Sequence, residues 1–354
     1  MALIETCNLE GLNQIMNDVP ANSKACAHKL NLRPTISVVI NNYNYESFVG
    51  TAIRSVLAQT YKGVQCIVVD DGSTDRSRDI ISQFDGIKKI FKDNGGQTSA
   101  IRLGVEQANS DIIILLDSDD YLYNDACATI AERWTQDTVL VQYKLDIAKP
   151  DGRIVGEYPL QPFITSGQYT YSLKWGEFPS SPTSGNAFSC QYLREALKLI
   201  GDRDIKFADG YFVFSAPLHG NIQVINRSLG AYLVHGDNVS MSARQSLDRV
   251  RAQILVNISQ KRAIANQLSL KLHRCVNYKS ILAPFHWRSI AYILRAYPDV
   301  ADFKEFSSLE SRMRGIYAYV YFPSIPLWKR LKNILVLLFL PLMPLKLIKG
   351  KIPI

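Results

Sequence analysis

The stretch Leu115-Leu116-Asp117-Ser118-Asp119-Asp120 places three carboxylates directly after the apolar run of residues 112–116. Such a run between polar residues is typical of a strand buried on both faces of a parallel sheet. We therefore expect the carboxylates at the carboxyl end of the strand, the edge where open α/β sheets bind ligands. Because like charges repel, a hard divalent cation with a phosphate is the simplest partner that stabilises them. The alternative is that Asp119 or Asp120 caps the helix expected over residues 126–134.

Three strand-loop-helix units precede this stretch. Their strands are expected at residues 36–40, 64–69 and 87–91, and each is followed by a polar or acidic loop and by apolar residues at helical spacing. Successive units of this kind predict a doubly wound α/β sheet with a nucleotide-sized crevice at its carboxyl edge. The sequence contains neither G-x-G-x-x-G nor G-x-x-x-x-G-K-[ST], so we expect phosphate to be held through a metal ion.

Composition and cysteine usage are those of a globular intracellular protein. The 354 residues are 47% hydrophobic and 20% charged, and a chain of this length is expected to form one large domain or one large domain with an appendage. The six cysteines are scattered without a close pair, which indicates buried thiols in a reducing compartment and not a disulfide framework or zinc site. Acids at Glu5 and Glu10, with no apolar core of signal-peptide length, predict no secretion signal. We therefore expect a cytoplasmic location.

The positive charge is concentrated at the carboxyl end. The net charge is +8, and the chain after Glu310 has no acid but eight bases beside the apolar run of residues 334–345. That run is interrupted by prolines and is too short to span a bilayer. It predicts a segment that lies on an anionic membrane surface, whereas the alternative is a helix that packs on a partner subunit or on the catalytic domain. Nucleic acid is a disfavoured partner, because the bases lie beside the apolar tail and not along the sheet edge.

Two acidic motifs, in the order in which they follow along the chain, show a resemblance to a known family. With Val68-Val69-Asp70-Asp71-Gly72-Ser73-Thr74-Asp75 and Leu116-Asp117-Ser118-Asp119-Asp120, the chain resembles the family 2 glycosyltransferases of GT-A fold. The resemblance is dense over residues 36–122 and sparser to residue 240. It implies a GT-A-type doubly wound mixed, mostly parallel sheet. It also implies inverting, metal-dependent transfer from a nucleoside-diphosphate sugar to a hydroxyl of a glycan or lipid-linked acceptor, as in cell-surface polysaccharide synthesis.

The resemblance also implies roles for residues of the donor half. Asn41 follows the first strand, where the family contacts the base or its ribose, and Asp71 resembles the acid that pairs with the nucleobase. Asp117 resembles the first Asp of the DxD motif, near the ribose and metal. Asp119 resembles the direct ligand of Mn²⁺ or Mg²⁺, and Asp120 is the alternative ligand because the register of Asp-rich loops varies.

Two residues of the second half are further candidates. Asp209 lies where the family carries Glu-Asp, here Ala208-Asp209, and is expected to be the base that deprotonates the acceptor hydroxyl. Its alternative role is a helix N-cap, and the missing Glu puts acceptor positioning in doubt. His235 resembles a histidine that reaches the metal or the diphosphate; the alternative is an ordinary surface histidine.

Three polar residues near these motifs have less specific expectations. Arg102 stands where many members of the family have Asn. Two roles are open for it: it contacts the diphosphate, or it is an exposed arginine on the helix. Asp70 and Asp75 are expected to serve turns and caps.

The predicted organisation has four parts: a variable arm (1–33), a GT-A domain (34–240, with a nucleotide-sugar half at 34–125 and an acceptor half at 126–240), a helical appendage (241–310) and a basic, apolar tail (311–354). Two other functions stay open at this point. A metal-dependent nucleotidyltransferase would need a triphosphate grip rich in Gly and Lys or Arg, which Asn41-Asn42-Tyr43-Asn44 lacks. The second alternative function is that of a catalytically silent scaffold that binds sugar or nucleotide at the membrane.

Overall fold

The computed structural model describes residues 33–200, 208–235, 247–273, 275–297, 301–321 and 325–343. The predicted amino-terminal arm, apart from Arg33, and residues 344–354 of the predicted tail lie outside the described residues. The four predicted parts of the chain stay a prediction.

The amino-terminal half alternates strands with helices, as the three predicted units require. The elements are β1 (Ile36–Asn42), α1 (Val49–Leu57), β2 (Val64–Asp71), α2 (Ser77–Ser82), β3 (Lys88–Lys92), α3 (Gln97–Gln107) and β4 (Ile112–Asp117). Each of the first, second and fourth strands is a run of β-branched and other apolar residues that ends on a polar side chain.

The second half adds the remaining strands and a series of helices. These are β5 (Tyr121–Leu122), α4 (Ala126–Arg133), β6 (Thr138–Ala148), β7 (Ile154–Tyr158), α5 (Gln168–Trp175), β8 (Asn186–Ser189), α6 (Cys190–Ile200), α7 (Asp209–Ser215), β9 (Asn221–Leu233), α8 (Leu247–Leu272), α9 (Pro284–Ala296), α10 (Ser308–Tyr321) and α11 (Leu327–Phe339). A short 3-10 helix, Thr183–Gly185, precedes β8.

Within the described residues the strands form one sheet, in the order β3-β2-β1-β4-β8-β6-β9-β5, with β7 paired to β6. The block β3-β2-β1-β4 is parallel, and β8 joins it to β6 through antiparallel pairing. β6 and β9 are parallel to each other. This mixed, doubly wound sheet confirms the predicted fold class. In the parallel block Asn41 lies opposite Asp117 and Asn42 opposite Asp70, so the polar strand ends meet at one edge.

The sheet is buried on both faces. Val39 and Leu115 point into a core shared with α3, α6 and α7, whereas Ile40 and Leu116 point into a second core with α1 and α4. This explains why β4 is apolar at every position from Ile112 to Leu116, and why β1 carries apolar side chains on both faces, with only the small, buried Ser37 interrupting its run from Ile36 to Ile40.

Helix α8 connects the sheet to the carboxyl-terminal helices. Its residues Ile264 and Leu268 belong to the core beneath the sheet, whereas Ile254 and Ile258 belong to a separate core with α9 and Phe303. The helix therefore shares a core with the predicted GT-A domain. None of the helices in the described ranges is both long enough and apolar enough to cross a membrane.

Candidate functional site

The Asp117 carboxylate lies at the centre of the site. Its Oδ1 accepts hydrogen bonds from Asn41 Nδ2 at 3.2 Å and from Gln97 Nε2 at 3.1 Å. Its backbone N–H donates to Ser184 Oγ at 3.1 Å. Because β1, β4, α3 and the 3-10 helix before β8 all contribute to this arrangement, the position of Asp117 is fixed by four separate segments.

The charge around Asp117 is strongly negative. Burial, together with the neighbouring charges of Asp119 and Asp209, raises the pKa of Asp117 to about 7, although the hydrogen bonds from Asn41 and Gln97 act in the opposite direction. The structure therefore brings Asp209, from the second half of the chain, close enough to influence this carboxylate. A cation bound among these groups would relieve the repulsion.

His235 and Asp119 lie together at the same edge. His235 Nε2 is 3.1 Å from Asp119 Oδ2, and the histidine side chain is 5% exposed. The imidazole stacks on Phe48, with ring centroids 4.4 Å apart, and meets the Tyr45 ring edge-on. This histidine is not an ordinary surface residue, because aromatic rings from the β1–α1 connection fix its orientation. Its contact with a metal stays a prediction.

Asp120 has a structural contact that distinguishes it from Asp119. Its Oδ1 accepts from the backbone N–H of Leu233 at 3.0 Å, at the end of β9 and two residues before His235. The side chain is buried, and burial followed by the charges of Asp119 and Asp117 raises its pKa well above the usual value. Asp119 is more exposed and already paired with His235, so the arrangement favours Asp119 as the ligand that faces a substrate.

The capping alternative for these acids is wrong. The short strand β5 intervenes, and Asp125, not Asp119 or Asp120, precedes the first residue of α4. A tight turn instead links the acids, because Asp120 N donates to Asp117 O at 3.0 Å.

Asp71 holds the loop that follows β3. Its Oδ1 accepts from Gly95 N at 3.0 Å and is paired with Lys92, while its Oδ2 accepts from Gly96 N at 2.7 Å. A carboxylate oxygen has two lone pairs, so Oδ2 retains one for a further donor. Gly72 permits this packing, since its φ is +83° and a Cβ there would lie 2.6 Å from the backbone N of Asn94.

The neighbouring acids have the predicted turn roles. Asp70 is buried and accepts from Asn42 Nδ2 at 2.8 Å, from Ser73 N at 3.0 Å and from Arg78 Nε at 2.7 Å. Asp75 Oδ1 accepts from the backbone N–H of Ser77 at 3.0 Å, at the start of α2.

Arg102 contacts a helix of the core. Its Nη1 donates to the carbonyl oxygen of Leu197 at 3.0 Å, so the guanidinium connects α3 to α6. The arginine is part-buried by this contact and is not simply exposed. This placement gives no support to the expected diphosphate contact and favours a structural role.

Asp209 is the first residue of α7, and Ala208 occupies the N-cap position, so the capping alternative for Asp209 is not supported. Thr183 Oγ1 lies 3.4 Å from Asp209 Oδ2. Burial raises the pKa of Asp209, while the hydrogen bonds from Gly210 N–H and Thr183 lower it. The carboxylate opens into a cavity of about 180 Å³. It is therefore placed to act as a base on a ligand bound in that cavity.

Sequence reasoning missed three contributors to the site: Phe48, Thr183 and Ser184. No local pattern in the sequence links Phe48 to His235, which is distant along the chain. Thr183 and Ser184 lie in the 3-10 helix before β8, a segment for which no sequence motif predicts a role in the site. Asn186 holds that segment, because its Nδ2 donates to Pro182 O at 2.7 Å.

The fold and the acidic carboxyl edge define an enzyme of the GT-A glycosyltransferase type. Residues 37–195 match the family model described as Glycosyl transferase family 2. The chain is 32% identical over 247 residues to an uncharacterized glycosyltransferase of Nostoc sp., and the match covers 67% of this chain and 76% of the relative. The chain therefore belongs to glycosyl transferase family 2, which confirms the predicted family.

Two further similarities are more limited. A glycosyltransferase of Haemophilus influenzae, also uncharacterized, is 40% identical over 97 residues, which is 26% of this chain and 39% of the relative's length. Among solved structures, S. aureus TarS 1-349 in complex with UDP-GlcNAc has 18% identity and a TM-score of 0.47, and the match covers 89% of this chain and 88% of that TarS 1-349 chain.

Proposed function

We propose that this glycosyltransferase is an inverting, metal-dependent enzyme of cell-surface polysaccharide synthesis. It moves a sugar from a nucleoside-diphosphate sugar to a hydroxyl of a glycan or lipid-linked acceptor. The observation that carries the proposal is the convergence of Asp117, the Asp119–His235 pair and Asp209 at one sheet edge, where Asp209 acts electrostatically on Asp117.

The donor nucleotide is proposed to bind over the ends of β1 and β2. Asn41 and Asp117 lie opposite each other in register, and the amide and carboxylate suit the base and ribose hydroxyls of a nucleotide. Asp71 has one lone pair of Oδ2 available for a nucleobase N–H. These residues supply binding and orientation, which lower the entropic part of the barrier.

A divalent metal, Mn²⁺ or Mg²⁺, fits the residues beside the nucleotide. Asp119 and His235 offer one carboxylate and one imidazole, and within the described ranges no group of three or more His, Cys, Asp or Glu side chains is arranged to hold a metal. Two protein ligands suit a metal that also binds substrate phosphate and water. When bound, the metal would neutralise charge on the departing diphosphate.

Asp209 is proposed to be the catalytic base. The acceptor hydroxyl oxygen attacks the anomeric carbon and gives its proton to the Asp209 carboxylate, while the bond from that carbon to the diphosphate oxygen breaks and its electron pair leaves with the diphosphate. Because burial raises the pKa of Asp209, the carboxylate is a stronger base than an exposed aspartate. A single displacement of this kind inverts the anomeric configuration.

The carboxyl-terminal helices support a location at an anionic membrane surface. In α11, Leu337 is buried in a cluster with Tyr292 and Tyr319 of the preceding helices, so one face packs on the protein. The exposed face carries apolar side chains and bases together: Leu327, Trp328, Lys329, Leu331, Lys332, Leu335 and Leu338. Apolar burial with attraction to anionic lipid is the usual means by which such helices bind a membrane interface. We propose a cytoplasmic protein held at the membrane periphery by this face.

The direct test combines binding with turnover. The purified chain is incubated with sugars linked to UDP, GDP, TDP or CDP, with and without Mn²⁺, and both the thermal shift and the release of nucleoside diphosphate are measured. We expect the sugar linked to one of these nucleotides to give a metal-dependent thermal shift and a slow release of its nucleoside diphosphate. A metal-independent shift without any release in the presence of glycan acceptors would contradict the proposal and favour a silent scaffold.

A further inference from the structure

Helix α8, which follows the region that matches the family model, forms one wall of the cavity that contains Asp209. The cavity volume of about 180 Å³ corresponds to about six waters at roughly 30 Å³ each. The cavity lies among Ser180, Thr183, α7 and α8. This space is on the scale of one sugar ring.

Helix α8 presents a row of amides to this cavity. Gln253, Asn257 and Gln260 line it and occupy positions i, i+4 and i+7, which share one helix face. Gln253 Nε2 donates to Asn257 Oδ1 at 3.3 Å, so the two amides orient each other. Asn266 is exposed and lies nine residues beyond Asn257, about 180° around the helix.

A buried ion pair fixes this helix beside the cavity. The Lys261 ammonium lies 3.2 Å from Glu177 Oε2 and also donates to the carbonyl oxygen of Gly176. The lysine is 1% exposed, and its charge lies 4.6 Å from the centroid of the Phe214 ring, which lines the cavity. Since Lys261 follows Gln260 directly, the Lys261–Glu177 ion pair fixes the position of the three amides relative to the cavity.

The amide of Gln260 lies directly over the start of α7. A Cβ at Gly210 would approach Gln260 Oε1 to 2.5 Å, so a side chain at this position next to Asp209 would displace the amide from where it stands. The amide row and the carboxylate therefore face the same small space.

The lining chemistry selects a class of ligand. It offers hydroxyls, amides, the Asp209 carboxylate and the apolar side chains of Val213 and Phe214, and no Lys, Arg or His of the described part of the chain contributes to it. Amides donate and accept hydrogen bonds, as sugar hydroxyls do. A phosphate would instead face the carboxylate without a compensating cation.

We propose that this cavity is the acceptor subsite and that Gln253 and Asn257 of α8 recognise a neutral sugar ring whose reacting hydroxyl faces Asp209. The inference rests on the proposed role of Asp209 as the base. It narrows the acceptor to a glycan or lipid-linked glycan that presents a neutral sugar, and excludes direct transfer to a lipid phosphate.

Saturation-transfer NMR tests the subsite without any knowledge of the donor. The probes are the methyl glycosides of glucose, galactose, mannose and N-acetylglucosamine, and dodecyl phosphate, each added to the UDP- or GDP-saturated protein. We expect at least one glycoside to bind and Gln253→Ala or Asn257→Ala to weaken it about two- to tenfold each, the value of one hydrogen bond. The matched control Asn266→Ala removes an amide from the opposite face and should bind as wild type does.

The outcomes separate this inference from the proposed function. Glycoside binding that is indifferent to Gln253→Ala and Asn257→Ala, or binding of dodecyl phosphate alone, would overturn the subsite. So would the absence of glycoside binding in protein that still gives a metal-dependent nucleotide shift, and in that case the proposed transferase would stand. Loss of the nucleotide shift in wild type would instead contradict the proposed function.

Discussion

His235 Nε2 lies 3.1 Å from Asp119 Oδ2, although 116 residues separate the two in the sequence. The contact exists because Asp120 accepts a hydrogen bond from Leu233 N and so holds the end of β9 against the acidic turn. The two adjacent acids therefore make different contacts: Asp120 holds the backbone at the end of β9, whereas Asp119 is paired with the imidazole of His235.

Replacement of Asp119 by Asn should abolish the metal-dependent part of nucleotide binding. The change removes one of two proposed metal ligands, and stabilisation by a ligand at 100 times its Kd is about 2.7 kcal/mol. We expect the Mn²⁺-dependent thermal shift to disappear while the metal-free shift remains. The control is Asp85→Asn, an exposed carboxylate between α2 and β3, which should retain the full shift. An unchanged shift in Asp119→Asn would remove Asp119 from the metal site.

Replacement of Asp209 by Asn should separate chemistry from binding. Loss of a general base typically costs about 10²- to 10⁴-fold in turnover, whereas the nucleotide residues are untouched. The product release rate and the nucleotide thermal shift are measured on the same preparation. Turnover within threefold of wild type, roughly a difference of 0.7 kcal/mol, would refute the assignment.

The same variant should be at least as heat-stable as wild type at neutral pH. Burial raises the folded-state pKa of Asp209 above its ordinary value of 3.8, so the folded protein binds this proton more tightly than the unfolded chain. The ionised carboxylate therefore destabilises the fold increasingly as pH rises above about 4 and through the folded-state pKa. In thermal melts from pH 4 to pH 8, the melting temperature of Asp209→Asn should rise relative to that of wild type as the pH increases. A lower melting temperature at pH 8 would contradict this.

The turnover rate should also fall as the pH is lowered, and at a higher pH than it would with an ordinary exposed aspartate as the base. A base must be ionised to accept a proton, so the rate falls as pH drops through the pKa of Asp209, which burial raises above 3.8. The turnover rate is measured under saturating donor from pH 4 to pH 8, with the nucleotide thermal shift at each pH as the control for binding. A rate that stays constant down to pH 4 would exclude Asp209 as the base.

Lys261→Met should destabilise the protein strongly. The change leaves Glu177 buried without its partner, and breaking a buried ion pair from one side costs about 3–5 kcal/mol. Burial, followed by the charge of Lys261, lowers the pKa of the nearby His286 well below 6.5, so this histidine is neutral beside the intact pair. The double variant Lys261→Met with Glu177→Gln should recover part of the loss in chemical unfolding. Additive effects of the two single changes would show that the pair is not coupled.

The exposed face of α11 should bind anionic vesicles. Lys329→Gln and Lys332→Gln should each weaken binding to phosphatidylglycerol vesicles by about 1 kcal/mol, the value of one base near such a surface. Leu335→Gln should weaken it further through lost apolar burial. Co-sedimentation measures the bound fraction, and Lys198→Gln and Leu199→Gln, both exposed on α6, are the matched controls. Equal loss in the controls and the α11 variants would contradict a specific membrane face.

The strands, their order along the chain and the acidic edge were accessible to sequence reasoning because they depend on local pattern. Runs such as residues 112–116 are apolar at every position, which requires burial on both faces, and the acids that end them can only emerge at the strand ends. The family motifs reinforced these expectations. Arg102 shows the limit: its helix was predicted, but its contact with Leu197 depends on which helix packs beside it.

The sequence alone therefore determined the fold class, the family and the carboxylates at the sheet edge. The tertiary structure decided which of those carboxylates face one another, that Phe48 orients His235, and that α8 forms a wall of the Asp209 cavity. These relations join residues far apart in the chain. They depend on the direction in which each side chain leaves a packed element, and no local periodicity encodes that direction.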